Sequence, residues 1–165
     1  MSAPRRVVEQ RGLWFEEYEE DVVYAHRPGR TITEADNVLF TTLTMNTQAL
    51  HLDAAWSADQ PFGQRLVNSM LTLSTLVGSS VGQLTQGTIV ANLGLTEVTF
   101  PAPVHLGDTL YSETTVLARR LSRSRPGEGV VTFSHVGRNQ DGVVVATAVR
   151  QTLVRCRPVE DPAGD

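Results

Sequence analysis

Lysine is missing altogether: all 14 positive side chains are arginine. That excludes a lysine Schiff base, pyridoxal phosphate attachment and the phosphate-binding lysine of a P-loop. Cysteine is almost as scarce, with Cys156 alone. Neither a disulfide framework nor a thiolate metal cluster can form within one chain, and a reducing cytoplasm is the expected setting. Long apolar runs are also lacking, since nothing approaches the ~20 residues that span a bilayer. The opening "MSAPRRVVEQRGLWFEEY" is too polar for a signal peptide. A soluble, unprocessed chain with no membrane partner is expected. A net charge of -4 argues against nucleic acid, which needs a clustered basic surface. The one arginine-dense stretch, "ARRLSRSR" at 118–125, is short and suits a smaller anion. No G-x-G-x-x-G follows a strand-like run and no G-x-S-x-G occurs. Proton transfer is left to His26, His51, His105, His135 and the carboxylates.

What is present fits one globular domain spanning residues 1–165, of 18.0 kDa, 41% of it hydrophobic. Residues 1–20 read as an N-terminal extension in which Leu13, Trp14 and Phe15 dock onto the domain, and 158–165 as a frayed tail. "DVVYAHRPGRTIT" suggests a short strand ended by Pro28 and Gly29. Thr33 then caps a helix, with Asp36 where a capping-box acid sits. Val38, Leu39, Leu43, Phe40 and Met45 predict its apolar face, and it stops near Met45. Residues 54–63 read as an ordered loop with at most one helical turn. "LVNSMLTLSTLVGSSVGQLT" is apolar around much of its circumference and predicts an enclosed helix. From residue 88, four runs rich in Val, Thr and Ile predict antiparallel strands, with "NQDG" a hairpin turn. An antiparallel sheet needs a cover for its apolar face, so the reading is an α+β fold: one curved sheet wrapped around one long apolar helix.

The segments "TEADNVLFTTLTMNTQALHLD", "RLVNSMLTLSTLVG", "FPAPVHLGDTL", "SRSRPGEGVVTF" and "RNQDGVVVATAVRQTLV" together resemble the MaoC-like enoyl-CoA hydratases. More narrowly they are similar to the branch holding mesaconyl-CoA and itaconyl-CoA hydratases and β-methylmalyl-CoA dehydratases. The resemblance covers about residues 22–155. It implies a single hot dog domain and reversible hydration of an α,β-unsaturated acyl-CoA without metal or cofactor; a branched C4 or C5 dicarboxylic acyl group comes from the resemblance alone, and pairing into a homodimer is expected because a curved sheet has open edges that prefer cover. The family's G-D-x-N-P-x-H motif sets His51 on its histidine, Gln48 on its asparagine, Ala49 on its proline and Asn46 on its catalytic aspartate. An amide cannot remove a proton at neutral pH. Three readings therefore stay open: Asn46 positions water while His51 alone is the base; Asp36 or Asp53 supplies a carboxylate; or activity is lost. The narrower branch also reads M-N-T-Q-x-L-H-L-D, which favours retained activity.

The resemblance implies further roles. The backbone N–H of Ser69 stands where the family offers a donor to the thioester oxygen, beside Asn68, which is equally a helix N-cap. Gln48 joins them in substrate binding. Arg123 and Arg125 are candidates for coenzyme A phosphates, against a plain solvated hairpin. Asp36 is a candidate catalytic acid or simply a cap, and His26, His105 and His135 read as structural. The rival functions are an acyl-CoA thioesterase, which would want a carboxylate on the long helix where 66–83 holds none, and a non-catalytic acyl-CoA-binding subunit.

Overall fold

The computed structural model of the protein describes residues 5–159, so the expected tail lies outside the described residues from 160 on. Its framework is a five-stranded antiparallel sheet in the order β1-β3-β4-β5-β2. The strands are β1 (Val23–Thr31), β2 (Ile89–Thr99), β3 (Thr109–Leu121), β4 (Glu128–Arg138) and β5 (Val144–Arg155). Helices α1 (Glu34–Leu43), α2 (Ala49–Leu52), α3 (Ala54–Ala58) and α4 (Ser69–Leu84) fall between β1 and β2. One long helix on one sheet is the hot dog arrangement that the resemblance implies.

Strand β1 does not end at Pro28. It runs on to Thr31 with its register shifted between His26 and Arg30. A proline and a bulge are tolerated there because β1 is an edge strand, where the missing N–H costs no ladder bond. The β4–β5 turn forms as expected: Asn139 Oδ1 accepts from the N–H groups of Asp141 and Val143, and Gly142 takes a φ of 79°.

Helix α4 departs from the expectation of enclosure. Only the stripe Thr72, Leu76, Ser80 and Leu84 is buried against the sheet, while Met70 is half exposed. A helix laid on a single sheet buries one face, and the small hydroxyl residues let it approach closely, Ser112 donating to the Leu76 carbonyl at 3.0 Å. The N-terminal extension does dock, through Phe15 and the fully buried Tyr18, beside Leu84, Val131 and Phe133. Gly129 is required by that docking, because a Cβ there would stand 2.1 Å from the Phe15 ring. A second apolar cluster, Ile32, Val67, Val104, Leu110 and Val145, fills the other end of the sheet.

Two of the remaining histidines lie in a buried relay: His26 Nε2 and His135 Nδ1 both bond Thr114 Oγ1 at 2.8 Å. Burial, with Arg150 and His26 nearby, pushes His135 down from 6.5 to about 3. A histidine whose folded pKa is depressed binds protons mainly when unfolded, so its contribution is complete above about pH 6.5 and lost as pH falls toward 3. Thermal midpoints measured from about pH 7 to pH 4 should fall steadily for the native chain, and His135→Gln should flatten that decline; an identical slope in the variant would contradict it.

Candidate functional site

The site begins with a helix that packs the unexpected way round. Thr33 caps α1 as predicted, accepting from the Asp36 N–H while the Asp36 carboxylate accepts from the Thr33 N–H at 2.8 Å. Yet the residues it buries are Asn37 and Thr41, whereas Leu39, Leu43 and Met45 are 60, 73 and 86% exposed. The inner side of α1 meets the main chain at His51, Leu66 and Asn68, whose carbonyls and N–H group need partners more than they need apolar cover. Asn37, fully buried, provides them. Its Nδ2 donates to the carbonyls of His51 and Leu66, and its Oδ1 accepts from the Asn68 N–H at 2.8 Å.

Residues 45–53 form not a simple turn but a bend followed by α2. Met45, rather than Asn46, takes the left-handed conformation, with φ 57°. Asn46 Oδ1 accepts from the Gln48 N–H at 3.0 Å, which turns the chain into α2. His51 sits within α2, 8% exposed. Its Nδ1 lies 2.9 Å from the Leu66 carbonyl. A carbonyl only accepts, so Nδ1 carries the proton and Nε2 of the neutral ring keeps its lone pair. Among the described residues Nε2 has no partner, and it is not sealed from solvent.

His51 lines a cavity of about 340 Å³, a size suited to a small ligand. Leu50 and Phe62 form one side, Val67 and Val145 the floor, and the β2–β3 connection, from Phe100 to Val104, the other side. The first turn of α4 closes it with Ser69 and Thr72. Asn68 is the N-cap of that helix, its Oδ1 accepting from the Met70 N–H at 2.9 Å and its Nδ2 donating to Thr41. Among the described residues nothing accepts from the Ser69 N–H. Ser69 and the positive end of a 16-residue helix therefore border the same space as His51. Such a site suits a carbonyl oxygen that gains negative charge.

The other predicted residues are placed elsewhere. Asn46 and Gln48 lie outside the cavity wall of their own chain. Asp36 is half-buried outside the cavity, and its carboxyl is held below the ordinary range by the Thr33 cap and by Arg30, which donates to it at 2.7 Å. Asp53 caps α3, accepting from the Trp56 N–H at 2.9 Å; residues 54–58 are the helical turn allowed for at the start of the 54–63 loop. Arg123 and Arg125 stand on the β3–β4 hairpin, where Leu121 pairs with Gly129. The cavity meets the opposite end of the sheet, roughly 35 Å away along β3 at strand rise. Arg125 is moreover engaged by Glu128, at 3.0 Å through Nη2. Among the described residues no three His, Cys, Asp or Glu side chains converge to hold a metal, and no helix is long and apolar enough to cross a membrane.

Comparison with known proteins bears out the expected family and fold. A family model described as MaoC like domain matches residues 17–139. A beta-methylmalyl-CoA dehydratase from Chloroflexus aurantiacus is 33% identical, aligned over 92% of this chain and 43% of its own length. A mesaconyl-CoA hydratase from Cereibacter sphaeroides is 30% identical over 92% of this chain and 44% of its own. The chain thus spans under half the length of these curated relatives. A solved MaoC domain protein from Chloroflexus aurantiacus superposes with a TM-score of 0.86 at 29% identity, covering 97% of this chain and 45% of that one.

Asn37 is the residue that sequence reasoning missed. Its signal was an amide four residues before Thr41, on the side of α1 opposite Leu39 and Leu43. Asn37→Ala strands the Asn68 N–H and weakens two buried carbonyls, so we expect a loss of about 2 kcal/mol or more in urea unfolding. Leu39→Ala, on the outer face, should stay within about 0.5 kcal/mol.

Proposed function

The chain belongs to the MaoC-like domain family, and from that premise and the surroundings of His51 we propose that it catalyses the reversible hydration of an α,β-unsaturated acyl-CoA thioester. The observation that carries this reading is the Leu66 carbonyl bound to His51 Nδ1, which turns a basic Nε2 toward a cavity closed by the α4 N-terminus. The thioester oxygen would accept from the Ser69 N–H. Water beside His51 would give its proton to Nε2 as its oxygen bonds to Cβ, and the π electrons would move onto the thioester oxygen. The resulting enolate would collapse as the imidazolium returns the proton to Cα. Every atom and proton is thereby accounted for by substrate, water and the chain's own groups, without cofactor or metal. The first of the three readings of Asn46 fits best, in the sense that His51 acts alone, while Asn46 shapes the approach to α2 rather than touching water.

The partner in this reading is a second hot dog domain, most simply another copy of the chain. Strand β2 is an open edge whose Leu93 and Leu95 are exposed, and such edges favour pairing. Two measurements test the proposal. With crotonyl-CoA as a general substrate, loss of the conjugated thioester absorbance should accompany water addition, and His51→Ala should lower kcat/KM by about 10²-fold or more with an unchanged circular dichroism spectrum. Release of free coenzyme A would instead indicate a thioesterase, and binding without turnover a non-catalytic subunit. Sedimentation should give twice the chain mass, with Leu93→Arg shifting the population toward monomer; a native monomer would remove the pairing.

A further inference from the structure

The geometry points to a substrate whose acyl group is uncharged, in contrast to the dicarboxylic acyl groups in the names of the relatives. This rests on the hydration reading and concerns the same cavity. In a C4 unsaturated thioester with a second, conjugated carboxylate, that carboxylate is bonded to the carbon that takes up water. It would therefore stand beside His51 Nε2. The cavity wall there is built from Leu50, Phe62, Val67, Phe100 and Val145, and its polar side chains are His51, Ser69 and Thr72. No arginine belongs to it.

The arginines that flank the wall are already engaged. Arg65, next to the lining residue Leu66, donates to Glu34 at 2.6 Å with its side chain 16% exposed. Arg30 reaches a narrow slot beyond Thr72 and Val145, but donates to Asp36 at 2.7 Å, and Asp36 is in turn fixed by the α1 cap. Each arginine is thus paired with an α1 carboxylate, and neither belongs to the cavity wall. A substrate carboxylate in this wall would have only the hydroxyls of Ser69 and Thr72 and the catalytic imidazole as partners. A buried charge without a cation is disfavoured, whereas an alkyl group finds apolar cover on three sides.

The native chain can be tested with matched pairs of ligands. The kcat/KM for crotonyl-CoA should exceed that for mesaconyl-CoA by about 10²-fold, the penalty expected of an unpaired buried carboxylate. In calorimetry, saturated butyryl-CoA should bind more tightly than succinyl-CoA. Equal or faster hydration of mesaconyl-CoA would overturn the inference, as would equal or tighter binding of succinyl-CoA. If neither unsaturated thioester is hydrated, the hydration reading fails, and the calorimetric order alone then upholds or overturns the uncharged acyl group.

Discussion

The Leu66 carbonyl is the acceptor around which the site is organised. Two donors reach it, the His51 Nδ1–H and the Asn37 amide. The first fixes which nitrogen of the imidazole is basic. The second ties that choice to α1, and the same Asn37 side chain, through its oxygen, holds the N–H of Asn68 at the start of α4. The proposed base and the start of α4 are thus set by one buried amide and one carbonyl. The Leu66 segment is itself pinned from both sides, Leu66 N–H to the Leu50 carbonyl and Val67 N–H to the Val104 carbonyl. Neither donor bond can lengthen without disturbing the others, which is how a group on a four-residue helix is held in place.

The two ends of the sheet divide the work. At one end, Phe15, Tyr18 and Phe133 make a closed aromatic cluster at the C-terminus of α4, where Tyr18 donates to the Leu84 carbonyl at 2.6 Å. At the other, Val67, Val104 and Val145 form a floor that leaves room for a ligand. The histidines follow the same division. His26 and His135 are drawn into a buried relay and kept neutral by their surroundings, while His51 alone keeps a nitrogen open to the cavity. Residue type does not separate them; only the partner of each ring nitrogen does.

Much of this was legible in the sequence, though unevenly. Strand positions, the Thr33–Asp36 cap, the Asn139–Gly142 turn and the start of α4 followed from local chemistry, because those signals reside in neighbouring residues. The faces of α1 and α4 did not. Apolar periodicity assumes that the inward side is the apolar one, yet α1 turns Asn37 and Thr41 inward because what it covers is unpaired backbone. On α4 the sequence spreads apolar residues around the helix, and a single sheet covers only one stripe of them. The cavity's histidine was found through its motif company, but Asn37 has no such company, and its partners lie 14 and 31 residues away in the chain. Arg123 and Arg125 show the opposite error, since a basic cluster read from sequence carries no information about which end of a hairpin it occupies.

The lack of a carboxylate beside His51 has a stereochemical consequence for the proposed reaction. Where an acid and a base stand on opposite sides of a double bond, water and proton can arrive from opposite faces. Here the cavity wall offers one titratable side chain, so the proton taken from water and the proton given to Cα pass through the same Nε2. An imidazole held by the Leu66 carbonyl, on a main chain that Asn37 ties to α1, cannot swing across the substrate between the two steps. In the proposed reaction both additions would then occur on the face that His51 borders, and hydration would be syn. The fixed ring is therefore an advantage for a base that must serve twice, since the enolate held at the α4 N-terminus meets its proton where the water was deprotonated.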